Sequence, residues 1–271
     1  MPELPEVEEV RRTLEPCVKN IVVKRVHLFR PDYVRHIAVD LNRLTGCFVI
    51  ETNRHGKKIF CRFNDEQALV FHLGMTGRLL CLPHFTEPAI HTHIVIELNS
   101  GFDLHVIDPR RFGGVWHYAD IQDAFSKHIG INCGIDALQL ATKHFDGWTR
   151  RKARLKAELL SQHSVSGLGN IYVDESLWYA KLHPLMQIDK ISVAQRKKLV
   201  LAIHKVLHAS IRLGGTTLRD YRNVAQQKGE FASRLRAYGR GGLACYRCGQ
   251  KLKIIKVSGR TTVFCPRCQH R

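Results

Sequence analysis

Two Cys-x-x-Cys pairs end the chain: Cys245-Tyr-Arg-Cys248, sixteen intervening residues, then Cys265-Pro-Arg-Cys268. Each pair makes a turn that offers two thiolates to one ion, and four thiolates suit a tetrahedral zinc. The segment between the pairs is long enough for a β-hairpin. A closed four-thiolate site leaves no open coordination position, so the expected zinc is a single structural ion rather than a catalytic one. The other cysteines, Cys17, Cys47, Cys61, Cys81 and Cys133, are scattered through apolar or strand-like contexts. An odd total of nine with no secretion signal points to a reducing compartment and away from a disulfide framework.

The 271 residues are enough for two or three modest domains. Lys and Arg number 42 against 24 Asp and Glu, a net charge of +18, and the usual partner of such a surface is a polyanion. General solubility or an anionic membrane surface would also accommodate it. The basic residues are spread along the chain and no amphipathic basic helix stands apart, which favours nucleic acid. No run approaches the ~18 apolar residues of a membrane span. The acidic N-terminus has no apolar core segment and does not read as a signal peptide.

Residues 20–118 read mostly as strand: Ile21–Val23 and Val26–Phe29, then 47–50, 59–63, 68–71, 78–82, 94–98 and 102–107, with Asn99-Ser100-Gly101 as a hairpin turn. Short strands at this spacing predict a β-sandwich or barrel. From about residue 121 the character becomes helical. Residues 152–162 predict one helix. Ser192 is placed to cap a longer one carrying Leu199, Ile203, Val206, Leu207 and Ile211, which Gly214-Gly215 would end. Residues 219–240 read as loop and linker, with a short helix near Phe231 to Leu235. The expected class is therefore α+β and multidomain. It has an N-terminal β-sandwich with its helix (1–120), a helical domain (121–225), and a linker with a C-terminal zinc hairpin (226–271).

The first dozen residues, Met-Pro-Glu-Leu-Pro-Glu-Val-Glu-Glu-Val-Arg-Arg, carry two readings that hold together. One is a helix start, with Pro5 in the first turn, acidic residues near the N-terminus, and an apolar stripe of Val7, Val10 and Leu14 that Pro16 should end. The other is chemical. Loss of Met1 leaves Pro2 as a secondary amine beside Glu3 and Glu6. An α-amino group titrates near ~8, so a useful fraction is neutral and nucleophilic at neutral pH. A secondary amine attacking a sugar carbon gives an iminium with no N–H proton to lose, an electron sink suited to β-elimination.

Further motifs are weaker alone. Gly167-Leu-Gly-Asn170 opens a helix and is suited to a phosphate approaching its N-terminus. Arg54-His-Gly-Lys57-Lys58 is a basic turn between strands, as a solvated hairpin would also be. Two strand ends, His72-Leu-Gly-Met75-Thr-Gly and Asp108-Pro-Arg110-Arg-Phe112-Gly, lead into glycine-rich loops. There Met or Phe can wedge between bases and Arg can donate to an unpaired one, although loop packing explains such residues as well. Lys251, Lys253, Lys256 and Arg260 lie between the cysteine pairs and can present cations to phosphate.

Together these stretches resemble the formamidopyrimidine-DNA glycosylase family of bifunctional glycosylase/abasic-site lyases. The Pro-Glu-Leu-Pro-Glu-Val-Glu start, the Lys156 to Tyr172 pattern of a helix–two-turn–helix element and the cysteine pairs carry the likeness, in family order. The resemblance implies removal of oxidised purines from double-stranded DNA, strand cleavage at abasic sites by β,δ-elimination, one zinc ion, a monomer, and a bacterial cytoplasmic setting. It implies catalytic roles for Pro2, Glu3, Glu6, Lys57 and Arg260. It implies DNA contacts from His72, Met75, His91, Arg110, Phe112, Lys156, Asn170, Tyr238 and Arg260, and zinc ligation by Cys245, Cys248, Cys265 and Cys268. Lys58 stands where relatives usually carry an aromatic residue, and 223–229 lacks the Asp-Gly many relatives have in a loop that covers the damaged base. The alternatives are an endonuclease VIII-like enzyme for oxidised pyrimidines, favoured less by Met75, Arg110 and Phe112, and a non-catalytic zinc protein that binds damaged DNA.

Overall fold

The computed structural model describes residues 2–35, 40–129, 133–217 and 221–270. Met1, and Leu218 to Asp220 of the glycine-led stretch after residue 213, lie outside the described residues. The chain divides into two compact units, residues 1–130 with 213–230, and 131–212 with 231–271. Residues 213–230 thus return to the first unit, and the cysteine-bearing segment belongs with the helices of the second.

The first unit opens with helix α1 (Leu4–Val18), whose Val7, Val10 and Leu14 are buried as their spacing predicts. Pro16 does not end the helix. It sits in the last turn, where the missing N–H costs one intrahelical bond and the ring faces only the preceding turn. The chain turns extended at Lys19, whose N–H still donates to the Glu15 carbonyl at 2.9 Å.

Eight strands follow: β1 (Val23–Leu28), β2 (Val49–His55), β3 (Lys58–Phe63), β4 (Ala68–His72), β5 (Arg78–Pro83), β6 (Thr92–Leu98), β7 (Phe102–Ile107) and β8 (Gly114–Tyr118). They form two antiparallel four-stranded sheets, β1-β6-β7-β5 and β2-β3-β4-β8. The β6–β7 turn is the Asn99-Ser100-Gly101 turn, with Gly101 at φ +84°. Strand β8 had no separate signal in the sequence, because Gly113-Gly114 and the short Val115-Trp116 pair resemble loop.

The period of two in a strand explains why β3 and β4 read as continuous apolar runs. Ile59, Cys61, Phe63, Leu69 and Phe71 enter the core shared with α1 and the other sheet. Phe60, Ala68 and Val70 point the opposite way and are covered by Ile121 and Ala124 of helix α2 (Ile121–Ile129).

The second unit holds β9 (Ile135–Asp136), α3 (Leu155–Leu160), β10 (Val165–Ser166), α4 (Asn170–Ala180), α5 (Val193–Arg212), β11 (Lys253–Val257) and β12 (Arg260–Phe264). Helix α3 is shorter than expected because its leading residues are extended. Arg154 bridges to Gln187, and Leu155 and Lys156 donate their amides to the Met186 and Pro184 carbonyls. Ser192 caps α5 as predicted: its Oγ accepts from the Gln195 amide at 3.3 Å, and Gln195 Oε1 accepts from the Ser192 amide at 2.9 Å. Gly214 and Gly215 follow the helix at φ +67° and +87°. Strands β11 and β12 make the C-terminal hairpin, with Lys253 opposite Phe264 and Val257 opposite Arg260. No helix among the described residues is long and apolar enough to cross a membrane.

His128 closes α2 with its ring buried, its Nε2 accepting from the Tyr118 hydroxyl at 3.0 Å. Burial, reinforced by the nearby Lys58 and His72, lowers its pKa to about 4. The unfolded chain protonates such a ring near ~6.5. The stability it contributes is therefore fully present above that value and is lost as pH falls through about 4. NMR titration should find the His128 ring neutral down to about pH 5, while the free energy of urea unfolding declines from ~6.5 downward. A ring titrating near its ordinary value would contradict this.

Candidate active site and nucleic-acid surfaces

At the start of α1, Pro2, Glu3 and Glu6 are all buried, with Glu3 2% and Glu6 1% exposed. Both carboxylates lie in the first turn, where the helix dipole favours negative charge. Glu6 Oε2 accepts from the Glu3 amide at 2.8 Å and Oε1 accepts from the Thr216 amide at 2.7 Å. Gly215 makes this approach possible. It has φ +87°, and a Cβ there would stand 3.0 Å from Glu6 Oε1. The following residues stay on α1. The Tyr221 hydroxyl donates to the Glu6 carbonyl at 3.2 Å, Asn223 Nδ2 to Glu9 Oε1 at 3.1 Å, and the Val224 amide to Thr13 Oγ1 at 3.3 Å. Burial, with Glu6 and Glu9 nearby, raises the pKa of Tyr221, which keeps its hydroxyl a donor.

Lys57 occupies the tip of the β2–β3 hairpin beside Gly56, at φ +56°. The tip is tied to α1 through Glu8, which accepts from Arg11, Arg12 and Arg54, while Arg54 also donates to the Gly56 carbonyl at 2.9 Å. Burial opposes ionisation of Glu8, but the three guanidinium groups together hold its carboxyl below its ordinary range. Lys58 points elsewhere and donates to the His128 carbonyl at 3.2 Å, at the end of α2. His72 lies opposite Lys58 in the β3–β4 register. Burial, then Lys58 and Lys57, press its pKa down to about 4, so it meets an anion as a neutral ring.

The two glycine-rich loops are brought against each other. Asp108, with no exposed surface, accepts from Thr76 Oγ1 at 2.5 Å, the Gly113 amide at 2.8 Å and the Tyr33 hydroxyl at 3.3 Å. A Cβ on Gly74 would stand 2.5 Å from the backbone of Phe112 and Gly113, so the loops touch main chain to main chain. This leaves Met75 40% and Phe112 54% exposed, with the Arg110 guanidinium 4.6 Å over the Phe112 ring. His91 is exposed at φ +72°, and its carbonyl accepts from the Asp108 amide at 3.1 Å.

In the second unit the cysteine Sγ atoms of Cys245, Cys248, Cys265 and Cys268 lie within 4.8 Å of one another. Four thiolates around a tetrahedral zinc with Zn–S near ~2.3 Å need about this spread. Cys245 Sγ accepts from Trp178 Nε1 at 3.4 Å and Cys265 Sγ from the Cys268 amide at 3.3 Å, partners that suit thiolates. The donor set and its surroundings fit zinc, and the ion's contribution there is structural.

Arg260 is exposed on β12. Behind it, the Thr261 carbonyl accepts from Asn170 Nδ2 at 2.9 Å and Lys156 Nζ at 3.3 Å. The sequence reading put Lys156 on a DNA phosphate. In the structure it has no exposed surface, and its Nζ donates to Asp174 Oδ1 at 2.6 Å. The other Asp174 oxygen accepts from the Val263 amide at 3.0 Å. A lysine followed by a helix–turn–helix signature looks like a phosphate ligand in sequence, since nothing local reveals the hairpin that covers it. Glu175, also fully buried, accepts from the amides of Arg236, Ala237 and Tyr238 at 2.8–3.0 Å and so holds Tyr238. Asp108, Asp174 and the Gly215–Glu6 contact were missed in the sequence. Only Asp108 had a local signal, at the junction of a strand and a Pro-Arg-Arg turn.

Three family models match the chain. The formamidopyrimidine-DNA glycosylase N-terminal domain covers residues 1–115, the H2TH domain of the same enzymes 134–222, and a zinc finger found in FPG and IleRS 242–271. A formamidopyrimidine-DNA glycosylase of Syntrophomonas wolfei is 38% identical over 99% of this chain and all of its own. One from Sphingopyxis alaskensis is 40% identical with the same coverage. Among solved structures, Lactococcus lactis Fpg in complex with DNA containing N7-benzyl-Fapy-dG superposes with a TM-score of 0.92 at 31% identity, covering both chains fully. MutM of Thermus thermophilus gives 0.87 at 35%, covering 99% of this chain and 98% of its own.

Two substitutions test the geometry. Gly215→Ala introduces strain and a close contact with Glu6, and should lower the free energy of unfolding by about 1–3 kcal/mol in urea. Asp174→Asn leaves the Lys156 ammonium buried without its counter-charge, at a cost of ~3–5 kcal/mol. Adding Lys156→Met removes that orphaned charge, so the double variant should recover much of the loss. A double variant no better than Asp174→Asn would show that the ion pair is not what matters there.

Proposed function

The chain belongs to the formamidopyrimidine-DNA glycosylase family, and from that premise we propose that it excises oxidised purines such as 8-oxoguanine and formamidopyrimidines from duplex DNA and then cleaves the strand as an abasic-site lyase. The substrate class is supported by relatives carrying the glycosylase name and by solved relatives in complex with DNA bearing Fapy-dG, an abasic site or carbocyclic 8-oxo-G. The observation that carries the reaction type is the buried Pro2, Glu3 and Glu6 cluster at the N-terminus of α1.

With Met1 removed, the Pro2 nitrogen attacks C1′ of a nucleotide turned out of the helix, and the bond from C1′ to the base breaks. Glu3 protonates the sugar ring oxygen as the ring opens, leaving a Pro2–C1′ iminium. Loss of a C2′ proton into that sink expels the 3′ phosphate, and a second elimination expels the 5′ phosphate. Glu6, with both oxygens occupied by backbone amides, holds Glu3 and the 214–217 segment rather than moving protons. Within the first unit, Lys57, His72 and His91 face phosphates, and Met75, Arg110 and Phe112 occupy the gap left by the everted nucleotide. Within the second unit, Arg260, Asn170 and Tyr238 contact the backbone, with Lys156 supporting Arg260 from behind. The protein acts as a monomer in the cytoplasm of a bacterium, as its bacterial relatives suggest.

Borohydride reduction during incubation with 8-oxoguanine:C duplex should trap the processed protein covalently on DNA, and Pro2→Gly should reduce that adduct severely. Equal trapping by Pro2→Gly would end the proposal. Stronger trapping and incision on thymine-glycol duplex than on 8-oxoguanine:C would move the substrate to oxidised pyrimidines.

A further inference from the structure

Cys17 and Cys81 take no part in the chemistry above. Cys17 lies in the last turn of α1 and Cys81 within β5. Their thiols hydrogen-bond to each other across the space between helix and strand. Both are half-buried, and both line a surface pocket of about 330 Å³ with Pro16, Phe102 and Val224. A small polar oxidant therefore has a route to either sulfur.

The other first-unit cysteines differ. Cys61 is 3% exposed, and burial pushes its thiol up to about 12. Cys47 donates to the Asp65 carboxylate at 3.2 Å, and burial with that carboxylate raises it to about 11. Cys17 moves the other way, to about 7, because the hydrogen bond from Cys81 outweighs the opposing effect of burial. Cys81 is raised as the donor of that bond. The pair thus presents one accessible thiolate next to one thiol, the arrangement that reactive and resolving cysteines require.

We propose that Cys17 and Cys81 form a dithiol modification site that hydroperoxides convert to a disulfide. The Cys17 thiolate attacks one peroxide oxygen, the O–O bond breaks, and the departing oxygen leaves as water or an alcohol after taking a proton. Cys17 becomes a sulfenic acid. The Cys81 sulfur, giving up its proton, attacks the Cys17 sulfur, the S–S bond forms, and the S–O bond breaks with release of water. The two thiols lose two electrons and the peroxide gains them, so no further reductant or oxidant enters.

The bond has a structural consequence within the first unit. Cys81 donates its amide to the Val224 carbonyl at 3.4 Å, while the Val224 amide donates to Thr13 Oγ1. Helix α1, strand β5 and the segment beginning at Asn223 meet there. A disulfide joins the first two covalently and fixes the surface on which the third rests.

Mass spectrometry of the zinc-loaded, full-length protein tests this. After limiting hydrogen peroxide, free thiols are blocked with iodoacetamide and the digest is mapped. The expected result is loss of the alkylated Cys17 and Cys81 peptides and appearance of one cross-linked peptide lighter by two hydrogens, before zinc release and before loss of alkylated Cys47 or Cys61. In Cys81→Ser, dimedone should capture a persistent sulfenic acid on Cys17. In Cys17→Ser, Cys81 should stay alkylatable. The proposal is overturned if wild-type Cys17 and Cys81 remain alkylatable at peroxide doses that already oxidise Cys47 or release zinc. It is equally overturned if dimedone fails to label Cys17 in Cys81→Ser.

Discussion

A carboxylate with almost no exposed surface must find its partners inside the protein. Glu6 finds one locally, the Glu3 amide, and the other at Thr216, far along the chain. The start of α1 therefore reaches its final form only with residues 214–217 beside it, and the left-handed Gly215 is the residue that lets them come close. Tyr221, Asn223 and Val224 extend the same attachment along the helix. A nucleophile needs a fixed neighbourhood held by groups that do not themselves react. Here that support comes from main-chain amides, which cannot rotate away.

The same device recurs. Asp108 gathers the two exposed loops, Asp174 holds β12, and Glu175 collects three successive amides of the 236–238 segment. Burial raises the Glu175 carboxyl even against those donors, which measures how completely it is removed from solvent. There is a consequence for charge. Glu3, Glu6, Glu8, Asp103, Asp108, Asp136, Glu158, Asp174 and Glu175 are buried, whereas Lys156 and Arg196 are the lysine and arginine residues buried to that degree among those described. The surface is thus more cationic than the composition of 42 basic and 24 acidic residues implies. The acids that would repel a phosphate backbone have been turned inward to hold loops.

How much of this was legible in sequence follows from the range of each interaction. Features set within a few residues could be read: the strands of the sandwich, the Ser192 cap, the glycines ending α5, the cysteine pairs and the α1 stripe. Pro16 misled because a proline's effect depends on how many turns remain after it, which tertiary contacts decide. Lys156 misled for a related reason. A lysine is assigned to solvent or ligand by default, and only the Thr261 carbonyl and Asp174 make its burial tolerable. Among the chemically interesting residues, Pro2, Glu3 and Glu6 were legible as a cluster because they are adjacent. What holds them was not, because it comes from the other end of the chain.

Helix α4 shows how one element can set a distant side chain. Asn170, Asp174 and Trp178 recur every four residues and so share one face. Asn170 binds the Thr261 carbonyl, Asp174 the Val263 amide, and Trp178 the sulfur of Cys245. The first two fix the strand that carries Arg260, and the third fixes the base of the hairpin where the ion sits. The small apolar cluster of Trp178, Ala237, Leu252 and Val263 is too slight to hold a hairpin alone, which is why four thiolates and a metal are used there. The metal closes the hairpin, but its register against α4 comes from Asn170 and Asp174. Arg260 is therefore aimed by a helix ninety residues earlier in the chain, as the Asn170–Thr261 bond, spanning 91 positions, makes explicit. Glu175, one residue on from Asp174, turns the neighbouring face of the same helix to the task of holding Tyr238. A single run of eleven residues thus orients two of the side chains assigned to the DNA backbone, and it does so from positions that never reach solvent.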